Sequence, residues 1–375
     1  MSAYSLEITN DIGNPEWGTL LKEVTNCHFR QYPEWALAKK AIGYDSRLLL
    51  VRQNNVLAGG ALVLIRKYAY WCRIGIVSQG PCLKDENAEL VAFFSRKLTE
   101  FCSQFGLLYL IVELPYSKSG WLNLFLKNGF AIKAQGLPGG FLYDTTLMIN
   151  LDREVDEIFS GFSSARRRYV RKSSTLPVVL REGELEDLDA CCKLFSYTSN
   201  KRSGYLVEPY KSFYQVLLGV PKQDRKVLLL IGEVEGEMVS ASFCLLSGDV
   251  FMHYIWGWSG RYADQHYTDA VYWQMIQLAK EKGFRFFDFV QVDDAVASAV
   301  LSGSPLDNSV RSRSFFGPTF YKMSFGGQKV QTPGILCYFP SMLYRVLFGR
   351  MVPAFLKSQF LRKMKSLMTP LFSFR

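Results

Sequence analysis

Lys322 stands in the segment Phe320-Tyr-Lys-Met-Ser-Phe-Gly-Gly327, a cation beside small, glycine-rich backbone that lets another group come close. Two carboxylates stand at matching places earlier in the chain. Glu113 follows the strand-like Leu107-Leu-Tyr-Leu-Ile-Val112, and Asp288 ends Gly283-Phe-Arg-Phe-Phe-Asp288. Both are candidate acid/base or hydrogen-bonding groups, and Asp288 reads as the more structural of the two. Other chemistries find less support. Only His28, His253 and His266 exist, without metal-ligand spacing, so no metal site is expected. The eight cysteines are scattered, with one adjacent pair at Cys191-Cys192 and no C-x-x-C, a pattern of free thiols in a reducing compartment.

The elements that would position these groups occur twice. Leu48 to Ile65 reads as strand, polar turn and strand, and a similar hairpin recurs from Leu228 to Leu246. Each is followed by an amphipathic helical run that ends in glycine and then by a hydrophobic strand. The hairpins are offset by 228 − 48, or 180, residues and the glycines by 283 − 106, or 177. Two landmarks with nearly equal spacing indicate a duplicated unit of domain size. Only the second copy continues into the Lys322 segment, which suggests where the chemistry was kept. Within the first copy, Leu90, Val91, Phe94, Leu98, Phe101 and Cys102 recur every three to four residues, and Gly106 closes that helix.

The chain has 375 residues, more than one core needs, so two domains are expected. The fold class is α/β with mixed sheets. The first domain is placed at 1–150, completed by 328–375, and the second at 151–327. The breaker cluster Gly136-Leu-Pro-Gly-Gly140 lies near the join. A helix is expected over Arg153–Ser173, with most of its clustered basic residues solvated, and a mobile loop over Ser298–Ser314.

Net charge is +10, but unevenly spread: no acidic residue follows Asp307, whereas eleven Lys or Arg do. Such one-sided charge favours a polyanionic partner. Within 340–375 the basic residues interleave with Leu343, Val346, Phe355, Leu356, Phe360 and Leu367, the pattern of a basic amphipathic helix for an anionic membrane surface. The N-terminus lacks the basic start and apolar run of a secretory signal, and no stretch approaches the roughly 20 apolar residues that span a bilayer. A cytoplasmic protein, peripheral at the inner face of the plasma membrane, is therefore expected.

Several segments together resemble the FemABX family, aminoacyl-tRNA-dependent transferases that build peptide cross-bridges on peptidoglycan precursors. They are Trp35-Ala-Leu-Ala-Lys39, Arg202-Ser-Gly-Tyr205, Tyr254-Ile-Trp-Gly-Trp-Ser259, Tyr272-Trp-Gln-Met-Ile276, Lys282-Gly-Phe-Arg-Phe-Phe-Asp288 and Phe320–Gly327, over roughly residues 30 to 330. The resemblance implies two tandem acetyltransferase-like (GNAT) domains, which the repeat suggests independently. It is closest to the compact members, since no long heptad-patterned insertion is present.

The implied chemistry is attack by an amine of a stem peptide on the ester of an aminoacyl-tRNA, through a tetrahedral oxyanion, with no covalent enzyme intermediate. Lys322 would stabilise that oxyanion, with Glu113 as the second candidate catalytic group. Lys39 and Arg202 would grip the diphosphate of a UDP-linked or lipid-linked muropeptide precursor, and Tyr205 and Tyr254 would line the same cleft. No cofactor is expected beyond aminoacyl-tRNA as co-substrate, and the protein is expected to be a monomer. The alternative, an acyl-CoA-dependent N-acyltransferase of envelope or polysaccharide synthesis, would require a Q/R-x-x-G-x-G/A cradle for the CoA pyrophosphate. Ser78–Leu83 and Gly260–Gln265, the corresponding stretches, both lack the two spaced glycines.

Overall fold

The computed structural model describes residues 4–351 except 25–26, 70–71, 86, 117, 134–136, 138–143, 174–175 and 203–210. The chain divides into two compact units. Unit 1 takes 1–17, 44–141 and the chain from 332; unit 2 takes 18–43 and 142–331.

In unit 1 the strands are β1 (Tyr4–Thr9), β2 (Tyr44–Gln53), β3 (Val56–Ala69), β4 (Cys72–Val77), β5 (Cys82–Leu83), β6 (Tyr109–Glu113) and β7 (Ala131–Ile132). Unit 2 holds β8 (Thr145–Asn150), β9 (Val178–Gly183), β10 (Val227–Val234), β11 (Glu237–Ser247), β12 (Val250–Trp258), β13 (Phe286–Asp288) and β14 (Gln328–Gln331). The chain then returns to unit 1 with β15 (Ile335–Tyr338). The sheet orders are β1-β2-β3-β4-β6-β15-β7, with β5 beside β3, and β14-β8-β13-β12-β11-β10-β9.

Read in opposite directions, the two orders superimpose strand for strand, so the duplication extends to topology. Both hairpins turn on two residues with positive φ, Asn54-Asn55 at 49° and 65° and Glu235-Gly236 at 54° and 78°. Consecutive left-handed residues match the twist of the flanking strands. In each unit one helix links a parallel pair: Ala88–Gln104 joins β4 to β6, and Tyr267–Glu281 joins β12 to β13. Asn87 caps the first of these, accepting from the Leu90 N–H at 2.8 Å, and Gly106 at φ 58° ends it. Its apolar face meets Leu49, Val51, Ala61, Val63, Val77, Leu110 and Val112 from alternate positions of the sheet. In unit 2, Val271, Met275, Ile276 and Ala279 do the same against Leu230, Phe251, Phe287 and Phe289.

The sixth strand of each sheet comes from outside its repeat and runs antiparallel to the fifth. It is β15 beside β6 and β8 beside β13. The boundaries therefore differ from those expected. Thr145–Asn150 belongs to the second sheet, where Leu147 and Ile149 are buried, and β14 stays with it through pairing to β8. Residues 18–43 also belong to unit 2, held by the Ser247 hydroxyl donating to Cys27 O (2.6 Å) and by Lys226 paired with Glu34 (3.2 Å).

Two element readings change as well. The basic helix is two helices, Val155–Ser160 and Ser164–Ser173, because Gly161 and Ser163 interrupt it. Ser298–Ser314 is loop only in part: Asp293 and Asp307 cap the helices Asp294–Leu301 and Asn308–Arg311, where a local carboxylate cap outweighs a small, polar composition, and 302–307 stays non-helical between them. No helix among the described residues is long and apolar enough to cross a membrane. All eight cysteines are free.

Candidate active site

The parallel pairing of β12 with β13 lasts three residues, from Val250–Phe286 to Met252–Asp288. Beyond it the chain stays with β8, through the Phe289 N–H to Leu147 O (3.0 Å) and the Val292 N–H to Thr145 O (2.9 Å). Strand β12 continues to Trp258, with an extra residue at Tyr254 where its register to β11 shifts between Cys244–His253 and Phe243–Ile255. A wedge opens between the carboxyl ends of two parallel strands, the place where α/β sheets bind ligands.

Lys322 reaches the apex of this wedge from the helix Phe316–Met323. Its Nζ donates to Val290 O (2.7 Å) and Gln291 O (2.9 Å) and lies 5.5 Å from the Phe315 ring centre. Both carbonyls come from residues with positive φ, 53° at Val290 and 29° at Gln291. A β-branched residue there is strained, and such conformations persist where surrounding structure over-determines them. Burial pulls the Lys322 ammonium down to about 8, while the charge of Asp288 works in the opposite direction. Asp288, buried at the end of β13, accepts from the Val290 N–H (2.7 Å) and from the Thr146 hydroxyl. Burial raises its carboxyl above the ordinary aspartate value, opposed by those two hydrogen bonds and by the charges of Lys322 and Arg30.

The helix end that carries Lys322 is locked from beneath. Arg166 is buried, donates from Nε to Ser324 Oγ (2.8 Å), pairs with the buried Asp269 and lies 4.1 Å over the Tyr321 ring. The Tyr321 hydroxyl also donates to Asp269, at 3.2 Å. Of the basic cluster in that helix only Arg166 is buried, on a face shared with Val170 and Ser173. Gly326 and Gly327, at φ 73° and 97°, serve this packing. A Cβ on Gly326 would lie 2.5 Å from Gly161 O, and one on Gly327 2.8 Å from Met148 O. The glycine pair is thus required by chain packing and not, as its sequence suggests, by the approach of a reacting group.

Lys39 and Tyr254, predicted to share a cleft, do meet around one indole. Lys39 Nζ lies 4.8 Å from the centre of the Trp35 ring and 5.2 Å from that of Phe213. Tyr254 meets Trp35 edge-on at 5.9 Å and 85°. The buried Arg30 links this cluster to the wedge: its guanidinium lies 5.4 Å from the same indole, and its charge acts on Asp288. Tyr205 lies outside the described residues, as does the side chain of Arg202 and the basic segment after 351. Glu113 is fully buried at the end of β6 in unit 1, where its charge holds the proton on the half-buried Lys133 against the effect of desolvation.

The three histidines have local tasks. His28 Nδ1 accepts from the Arg30 N–H at 3.2 Å, and His266 stacks on Tyr169 at 3.7 Å. His253 shares a 3.0 Å hydrogen bond with Ser242 and is kept neutral, its imidazole pushed down to about 3 by burial and by Lys322.

Residues 162–295 match the model of the acetyltransferase (GNAT) domain, and residues 12–136 match that of the FemAB family. Aminoacyltransferase FemA of Staphylococcus aureus is 24% identical over 216 residues, 50% of this chain and 49% of that protein. The chain is thus similar to the FemAB family in its first half and to the GNAT acetyltransferase domain in its second. It spans about half the length of the curated relatives it matches. The same fold appears in a crystal structure of FemX, with a TM-score of 0.75 and 16% identity over 93% of this chain and 100% of that one. A tandem GNAT protein from the clavulanic acid biosynthesis pathway shares it at a TM-score of 0.52 and 10% identity, over 90% and 99%.

Lys39 was marked by its sequence, and Trp35, four residues before it, shares its helix face. Other residues of this site escaped sequence reasoning. Arg30, Thr146, Phe213 and the Val290-Gln291 turn carry no motif, because they meet only through the tertiary fold.

Proposed function

We propose that this chain is an aminoacyltransferase that moves an amino acid from aminoacyl-tRNA onto an amine of a peptidoglycan precursor's stem peptide. The observation that carries the reading is a half-buried lysine ammonium held on two backbone carbonyls at the open ends of a parallel strand pair, in the unit matching the GNAT model. The aminoacyltransferase named among its relatives supports the same class of reaction.

The amine attacks the ester carbonyl and a C–N bond forms. The carbonyl oxygen becomes an oxyanion, the C–O bond to the ribose breaks, and the ribose oxygen takes up a proton as the amine loses one to solvent. Lys322 stabilises the oxyanion, a contribution of about 10²–10³ in rate for one well-placed donor. With Arg30 and Lys322 against one Asp288, the buried charge of the site sums in favour of an anion. Lys39, between Trp35 and Phe213, is assigned to the precursor's phosphates together with Arg202, while Tyr205 and Tyr254 line that cleft and Glu113 serves unit 1 as a hydrogen-bonding carboxylate. Neither cofactor nor metal takes part in this scheme, and the protein acts as a monomer.

Incorporation of each labelled amino acid from charged tRNA, assayed against UDP-linked and lipid-linked precursors, tests the assignment. Turnover of acetyl-CoA without charged tRNA would overturn it. The basic segment 340–375 is assigned to the anionic inner face of the plasma membrane; its described start exposes Met342, Leu343 and Val346. Deleting residues after Tyr338 should abolish salt-sensitive binding to vesicles of anionic phospholipid, and binding that ignores salt would refute the electrostatic part.

A further inference from the structure

We propose that Asp288, together with Thr146, is the positioning pair that shapes the carbonyl cradle of Lys322 and so places the ammonium in the site. The inference rests on the reading of Lys322 as the group that meets the reaction's charge. No ion pair joins Asp288 to Lys322 among the described residues, although the buried carboxylate and the half-buried lysine share one region; the lysine is bonded by carbonyls instead. Asp288 reaches Lys322 through the backbone. Its Oδ1 accepts the N–H two residues on, at Val290, which closes an Asx-type turn. That turn holds Val290 at φ 53° and Gln291 at φ 29°, and in this conformation both carbonyls face Nζ.

Released from the carboxylate, a β-branched residue would leave the left-handed region and carry its carbonyl away. Thr146, fully buried on β8, fixes the carboxylate by donating its hydroxyl to the same Oδ1. The aspartate is therefore oriented from one strand while the same oxygen holds the turn. The charged and titratable groups facing this region are Asp288 from β13, His253 from β12 and Arg30 from the short 3-10 turn Phe29–Gln31. His253 stays neutral and adds no competing positive charge, and Asp288 is the anion that sustains the ammonium.

The test pairs an activity-independent measurement with kinetics. Competitive acetylation of the full chain by acetic anhydride across a pH series, read by peptide mass spectrometry, reports how exposed and how protonated Lys322 is. Asp288→Asn keeps an oxygen for the Val290 N–H but removes the charge, so the Lys322 titration should move down by about one unit while the lysine stays shielded. Thr146→Val and Asp288→Ala loosen the turn, so Lys322 should label about tenfold faster relative to the other lysines. In those variants kcat for transfer should fall about 10²-fold with the precursor KM within about threefold, as expected for a misplaced catalytic group.

An unchanged Lys322 labelling profile in Asp288→Asn and Thr146→Val, two substitutions that conserve shape, would overturn the proposal. So would normal kcat in variants whose Lys322 has become exposed. Lys322→Ala separates the two levels of inference: if transfer survives it, the reaction assigned to Lys322 fails, while the labelling profile still decides what Asp288 does to the turn.

Discussion

The protonation of Lys322 should write itself into the pH dependence of transfer. Its ammonium is the useful form, and burial brings its pKa from 10.5 to about 8. Below that value the lysine is charged; one unit above it, roughly one molecule in eleven still is, so the rate should fall about tenfold per unit beyond pH 9. The acceptor amine acts in the opposite sense, since it must be neutral to attack, and wild-type protein should therefore give a bell whose falling limb belongs to Lys322. Lys322→Arg removes the ambiguity. A guanidinium stays charged throughout the range, so the variant should lose the falling limb and keep the rising one, at a lower overall rate because a planar fork does not fit a cradle built for a compact ammonium. Single-turnover transfer from charged tRNA at saturating precursor, from pH 6 to 10, measures both limbs. A falling limb near pH 8 that persists in Lys322→Arg, or a Lys322→Ala variant within about threefold of wild type, would refute the assignment of the charge to this residue.

Two further outcomes test other parts of the structure. Gly326→Ala places a Cβ 2.5 Å from the carbonyl oxygen of Gly161 at a φ of 73°, so it should destabilise the protein by about 1–3 kcal/mol in denaturant unfolding; an unaltered midpoint would mean that the Gly161–Gly326 contact can relax freely. Lys39→Met keeps an apolar stem against Trp35 and Phe213 but discards the charge, and should raise the precursor KM about tenfold with little change in kcat. A KM that does not move would make Lys39 an ordinary solvated helix residue.

The duplication was legible in the sequence because a hairpin, an amphipathic helix ending in glycine and an apolar strand each leave a local periodic trace. Strand exchange at the sixth position was legible only in part. The return of the chain after 328 to the first domain was expected, and Ile335–Tyr338 makes it beside β6, but Thr145–Asn150 carries no mark of the sheet it joins, and only long-range pairing assigns Leu147 to β13's side. The site divides in the same way. Lys322, Lys39, Tyr254 and Asp288 stand in recognisable phrases of sequence, so their presence could be anticipated. Their geometry could not, because Lys322 is bonded by main-chain oxygens at Val290 and Gln291, and backbone carbonyls exist at every position. Arg166 shows the opposite error of scale: five basic residues close together obscured the single one whose place at the Val170–Ser173 face buries it.

Holding Lys322 on carbonyls has a consequence that a salt bridge would not. A carboxylate in hydrogen-bond contact would neutralise the ammonium, raise its pKa and compete with any oxyanion for the same charge. Two carbonyl dipoles orient the ammonium while leaving its net charge and one N–H direction uncommitted. Asp288 then contributes at longer range, enough to oppose desolvation without capturing the proton donor, and Arg30 counterbalances that carboxylate on the side of the Trp35 cluster. Moving the anion into contact, by Gln291→Glu for instance, should therefore raise the Lys322 titration and slow transfer together. A substitution that strengthens the lysine's charge state yet depresses the rate is the outcome that distinguishes an oxyanion stabiliser from a lysine needed only for its fold.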